Sequence, residues 1–135
     1  MAMNTETFSV FKDQAIKVNS ATPVATLLVP DGQWAIFAKL NLDNDSPEVH
    51  TVNCKLSAGV DFDQNVARLG PSGLNNTDMA ALAFNVVHTF PGTSSEAKNA
   101  ITLLCSLDKT TANVAAGRIK ITAIRVASIT NKPAA

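Results

Sequence analysis

The 135-residue chain carries 11 basic and 11 acidic side chains and no formal net charge, with 46% apolar and 16% charged residues. That length suits one domain with a core of its own. The balance excludes a disordered chain, an electrostatic footprint for nucleic acid and a polybasic membrane anchor. No apolar run approaches the roughly 20 residues of a spanning helix, so membrane insertion is not expected. The opening MAMNTETFSVFKD lacks a basic segment followed by an apolar one, so it does not read as a secretory signal. The expectation is a cytoplasmic chain or one exported by a non-classical route.

In chain order, short β-rich runs alternate with clusters of Gly, Pro, Asn, Asp and Ser. Strands are predicted at Thr7–Phe11, Ile16–Val18, Val24–Val29, Gln33–Leu42, His50–Ala58, Val60–Leu69, Met79–Phe90, Asn99–Leu107 and Arg118–Ile129. The breakers are NSATP, PDG, DNDSP, GPSGLNN, PGTSSE and TTANVAAG. TDMAALAF has helix-favouring residues, but FNVVHTF continues it with β-branched and aromatic ones, and the whole is read as a strand. Such spacing predicts an all-β sandwich or barrel in a single domain over residues 1–135, its core at about 7–130 and a flexible tail at 131–135. NNT at Asn75 matches a glycosylation sequon, a pattern too short to weigh without secretion.

The faces of the strands differ. His50, Val52, Cys54, Leu56 and Ala58 alternate with Thr51, Asn53, Lys55 and Ser57. Ile101, Leu103, Cys105 and Leu107 alternate with Thr102 and Ser106, Leu104 being the exception. These two strands have one wet face. Three others are apolar on both. From Trp34, the set Trp34, Ile36, Ala38, Leu40 and Leu42 makes a core face, yet Ala35 and Phe37 lie opposite it. In Met79–Phe90, Ala81, Ala83 and Val87 oppose Ala80, Leu82, Phe84 and Val86. In Arg118–Ile129 the parity passes from Ile119, Ile121 and Ala123 to Ile124 and Val126, which predicts a bulge there. If these three strands share a sheet, its outer face needs a cover, and no helix is left to supply one. A second subunit is the expected cover, with Phe37, Ala81, Ala83 and Val87 in the interface; the alternative is the ordinary apolar share of any surface.

PDGQWAIFAKLNLDN, VNCKLSAGVDFD, AALAFNVVHTF, AITLLCSLD and GRIKITAIRVASI, in this order, resemble the TNF/C1q-like jelly roll, over about Phe8 to Ile129 and closest to its small bacterial single-domain members. The chain departs from that pattern in having no Tyr, no collagen stalk and no aromatic-rich final strand. The resemblance implies a two-sheet jelly-roll sandwich forming a homotrimer, one sheet packed about the threefold axis and the two cysteine strands in the outer sheet. It also makes the strands of Cys54 and Cys105 neighbours. A cross-strand disulfide and two buried thiols are then the alternatives.

Catalysis has little to work with. His50 and His88 are the sole histidines, both cysteines take core parity, and an active Cys–His pair needs an exposed thiolate. His88 reads as a core or interface histidine, and no enzyme is expected. No Cys or His lies at metal-ligand spacing, and no cofactor is expected. The oxygens of DNDSPE, with Asp43 and Asp45, and of DFDQN at Asp61–Asn65 are a weak calcium alternative, set against ordinary Asx turns. The function expected is a non-enzymatic homotrimeric binding module, with carbohydrate as the ligand class by analogy with trimeric jelly-roll lectins. For such a site only Phe11 and Phe37 offer an aromatic platform, since Trp34 reads as core. The alternative is a structural domain that decorates or caps a phage, spore or surface assembly and takes no small ligand.

Overall fold

A computed structural model describes residues 6–74, 77–109 and 111–135; the Asn75 sequon lies outside the described residues. The strands are β1 (Thr7–Lys12), β2 (Ile16–Lys17), β3 (Thr22–Val29), β4 (Gly32–Asn44), β5 (His50–Ala58), β6 (Asp61–Leu69), β7 (Met79–Phe90), β8 (Asn99–Leu107) and β9 (Val114–Arg125). They form two antiparallel sheets. Sheet 1 runs β1–β9–β4–β7, with β2 also paired to β9, and sheet 2 runs β3–β8–β5–β6. Consecutive strands repeatedly cross from one sheet to the other, which makes the sandwich a jelly roll.

The core lies between the sheets. Trp34, Ile36, Leu40 and Leu42 from β4 and Ile119 and Ile121 from β9 meet Val52, Leu56, Ile101 and Leu103 from β5 and β8, all essentially inaccessible to solvent. The period-two alternation makes this possible, because successive side chains of a strand point to opposite faces. Trp34 can be fully buried because its indole N–H donates to the Pro30 carbonyl at 3.0 Å.

The ninth strand departs from the sequence expectation. It starts at Val114 and ends at Arg125, rather than running Arg118–Ile129. Its irregularity also lies earlier than Ala123/Ile124. The pairing with β4 shifts between Lys39↔Lys120 and Asn41↔Gly117, where Arg118 adopts a φ of 49°. One extra residue there carries Val114 and Ala116, and then Ile119, Ile121 and Ala123, onto the same inner face. Ile124 is simply the next outward position. A second irregularity, between Pro23 and Ala25, accommodates a proline on the edge strand β3, where a missing N–H costs least.

Candidate functional site

The doubly apolar strands are neighbours: β4 pairs with β7 on one side and β9 on the other. Register fixes the outer face of sheet 1 row by row. Val87, Ala35 and Ile124 form one row; Asn85, Phe37, Thr122 and Ser9 the next; Ala83, Lys39, Lys120 and Phe11 the third; and Ala81, Asn41 and Gly117 the fourth. Phe37 is 50% and Phe11 72% exposed, large values for phenylalanines on a regular sheet. Ala81 and Ala83 are exposed and Val87 half-buried. The four expected interface residues therefore lie together on one surface, turned away from their own core.

This face has a groove of about 350 Å³ lined by Phe37, Ala38, Lys39, Lys120 and Thr122. Lys39 and Lys120 are direct cross-strand partners, and among the described residues neither is ion-paired. Like charges directly opposite each other are destabilising, so the folded chain gains nothing from this pair on its own. The sequence gives no sign of the pair, because its members are 81 positions apart and become neighbours only through the β4–β9 register.

The polar clusters elsewhere are engaged. His50 is buried, with Nδ1 2.9 Å from Asp108 Oδ1, and Asp108 Oδ2 accepts the Thr51 N–H at 2.8 Å. Burial pushes Asp108 up, but the Thr51 N–H and the His50 contact outweigh it and hold the carboxyl below its ordinary value. Ser46, beside His50 in a small cleft, accepts the Asn113 N–H on its Oγ at 2.7 Å. Asp31, also buried, accepts from Asn99 Nδ2 at 3.0 Å and from the Ser94 N–H at 3.1 Å. Those two bonds, the Asn99 one foremost, hold its carboxyl below the ordinary value. Arg125 stacks over Trp34 with its guanidinium 4.5 Å from the ring, and its Nη1 donates to the Asp31 carbonyl at 2.9 Å. Its Nε lies 3.3 Å from Glu6 Oε1, an ion pair not aligned as a hydrogen bond.

DFDQN lies in a strand, as the expected Val60–Leu69 run has it. It is the first half of β6, with Asp61, Asp63 and Asn65 on the inward parity at the open edge of the sandwich. Asp63 Oδ2 accepts the Asn85 N–H at 3.0 Å, Asn65 Nδ2 donates to the Ala83 carbonyl at 2.8 Å, and Asp61 Oδ2 lies 2.7 Å from His88 Nδ1. The three side chains clasp edge strand β7 to edge strand β6 across the two sheets. Gly59, at a φ of 60°, turns the chain between β5 and β6, where any Cβ would come 2.6 Å from the His88 ring. Asp43 is exposed on the outer face of β4, while Asp45 accepts from Ser72 Oγ and Asn113 Nδ2. Among the described residues no group of three or more His, Cys, Asp or Glu is placed to hold a metal ion.

Cys54 and Cys105 are register partners on β5 and β8, fully buried, with Cα atoms 4.1 Å apart and sulfurs within bonding distance of each other. Neither offers an exposed thiolate to a histidine.

No protein-family model matches this chain, and no curated protein matches it. Solved structures do. A viral particle of IBDV is similar with a TM-score of 0.57 at 11% identity over 90% of this chain and 31% of that one. The VP2 subviral particle of infectious bursal disease virus is similar with a TM-score of 0.51 at 10% identity, over 90% of this chain and 32% of that one. A Gx strain structure of the same virus gives 0.51 at 11% identity, over 93% and 33%. The chain thus spans about a third of the length of these capsid-particle chains, and at such identity the likeness shows the fold: a two-sheet jelly-roll sandwich.

Proposed function

We propose that the chain is a structural module that works by assembling with itself: a non-enzymatic jelly roll that forms a homotrimer through the outer face of sheet 1. In this reading it serves as a decoration or capping unit of a larger assembly, such as that of a phage, a spore or a cell surface. The observation that carries the proposal is the uncovered apolar face itself, with Phe37 half exposed among Ala35, Ala83, Val87 and Ile124. Small alanines let another surface approach closely, and Phe37 supplies area; burying a side chain of that size contributes roughly 1.5–3 kcal/mol per subunit. Support comes from the fold, whose similar structures are those of virus particles. The TNF/C1q-like resemblance also supports it, since it implies a sheet packed about a threefold axis.

Sedimentation equilibrium of the wild-type chain at micromolar concentration tests this directly. A three-chain mass is expected, and a monomer would sink the proposal. A broad glycan array should stay silent. A sugar captured through Phe11 or Phe37 would turn the reading back towards a lectin, for which those side chains are the exposed aromatic platforms on this face.

A further inference from the structure

The chain as a whole is electrically balanced, but the outer face of sheet 1 is not. At its paired outward positions the register places Lys39 on β4, Lys120 on β9 and Lys17 on β2, against Asp43 as the one carboxylate. Lys39 and Lys120 stand directly opposite each other on the two central strands, with Ala83 and Phe11 outside them on the edge strands. We infer that the groove between them is an anion site. Its ligand is a free multivalent oxyanion of the phosphate or sulfate class, taken up as the homotrimer closes. The inference deepens the homotrimer reading and rests on it.

Three observations carry it. The first is the charge count. Each copy brings more ammonium groups than carboxylates to this face, so a contact made of the face alone cannot neutralise itself, even with every Asp43 spent on a lysine. Covering Lys39 and Lys120 without a counter-ion would take two cations out of water, which desolvation penalises heavily. A singly charged ion answers one of them; a dianion answers both. The second observation is space. The groove holds about 350 Å³ between Phe37, Lys39, Lys120 and Thr122, room for a tetrahedral ion and several bridging waters at about 30 Å³ each. The third is the set of donors. Each lysine offers three N–H donors and no acceptor, and lysine binds phosphate as a point charge. Beside Lys120 on the same face is Thr122, whose Oγ1 lies 3.1 Å from Ser9 Oγ. Ser9 can donate to the Ile121 carbonyl at 3.2 Å, which leaves the Thr122 hydroxyl able to turn its proton into the groove. Phe37, Phe11 and Ala83 surround these donors with apolar surface, and a lower local dielectric strengthens each charged contact. The ion is a free one, because assembly closes the face over it and leaves no path for a lipid or a polymer.

The test is sedimentation equilibrium at neutral pH in chloride and in low-millimolar inorganic phosphate, at matched ionic strength, with sulfate as a second probe. For the wild type, either oxyanion should lower the concentration at which the trimer dissociates by about tenfold or more, as two charge-assisted hydrogen bonds of ordinary strength imply. Lys39→Gln/Lys120→Gln changes two exposed positions and should keep the near-ultraviolet signal of buried Trp34. It should form the trimer in chloride and gain nothing from phosphate. A wild-type trimer that dissociates at the same concentration in chloride and phosphate would overturn the anion site and leave the homotrimer standing. An equal phosphate response in the double variant would overturn it too, since the ion would then act away from these lysines or by general exclusion from the surface. A double variant that is monomeric in both buffers would show the lysines meeting carboxylates of the neighbouring copy in place of an ion. A wild type that is monomeric in every buffer would remove the homotrimer reading, and this inference with it.

Discussion

The outer faces of the two sheets are built on the same pattern and finished differently. On β5 and β8 the outward positions are Thr51, Asn53, Lys55, Ser57, Thr102 and Ser106, all half-buried polar residues, with Leu104 and the exposed Ala100 among them. On β4, β7 and β9 the outward positions include Ala35, Phe37, Ala81, Ala83, Val87 and Ile124, set among Asn41, Asn85 and Thr122 and a pair of lysines that among the described residues have no ion-pair partner. The central strands β4 and β9 of one sheet and β5 and β8 of the other bury their inward rows alike, so the difference is not one of core packing. It teaches that the core face explains the strand, while the outer face shows what else the strand must meet.

The comparison breaks most sharply with one charge placed on each face. Val87→Asp would lose the assembly, since its row holds only Ala35 and Ile124 and an unpaired carboxylate in a covered apolar face costs several kcal/mol; light scattering should give monomers or aggregate. Lys55→Asp on sheet 2 should leave mass and thermal midpoint nearly unchanged, within about 0.5 kcal/mol. Equal behaviour of the two variants would show that the faces do not differ in role.

The next effect belongs to sheet 2. Cys54 and Cys105 close 51 positions of chain across β5 and β8, and a bridge of that span contributes typically 2–4 kcal/mol. Guanidinium unfolding with and without reductant should separate by that amount, and Cys54→Ser should abolish the separation. Coincident curves would mean two reduced thiols.

A smaller effect tests the clasp between the sheets. Asp63→Ala leaves the Asn85 N–H without its acceptor, at a cost of about 1–3 kcal/mol. Amide exchange at Asn85 should accelerate in that variant while exchange in β5 and β8 stays slow. The smallest effect is the pH dependence of two hydrogen-bonded carboxylates, buried Asp31 and exposed Asp108. Asp31 and Asp108 both have folded values below the ordinary 3.8. Their contribution is therefore complete above that value and lost as the pH falls below it through the lowered folded values. Asp31→Asn should flatten the acid limb of a melting profile taken between about pH 5 and pH 2, around the ordinary Asp value.

Most of the fold is legible in the sequence because its cues are local. Alternation over Gln33–Leu42 or His50–Ala58 locates a strand and its core face without reference to any other strand. What escaped was set by a partner. The NVAAG run reads as loop because alanine and glycine carry no strand signal, yet Val114 and Ala116 are held in place by pairing with Asn44 and Leu42. The bulge at Arg118 exists to keep both halves of β9 facing one core, and a parity count that begins at Arg118 cannot see the half before it. DFDQN falls in the expected Val60–Leu69 strand, but the partners of its side chains, the Asn85 N–H and the Ala83 carbonyl, are backbone atoms of a strand some twenty positions later and leave no mark in the local sequence. The candidate interface was legible for a related reason: Phe37, Ala81, Ala83 and Val87 announce themselves by lying on the wrong side of otherwise ordinary strands. The lysine pair needed the register to be found.

The pairing of β1 with β9 has a further consequence. Thr7 stands opposite Ile124, the Arg125 N–H donates to the Glu6 carbonyl at 2.8 Å, and the Arg125 side chain ties that corner to Trp34 and Asp31. The first and last strands of the sandwich thus enter and leave at one corner, side by side. A fold with that doorway can be spliced into a surface loop of a host protein without prising the loop apart. Its two ends can equally be joined by a short linker and the ring reopened at Gly73, where among the described residues nothing lies within 4 Å of an added Cβ.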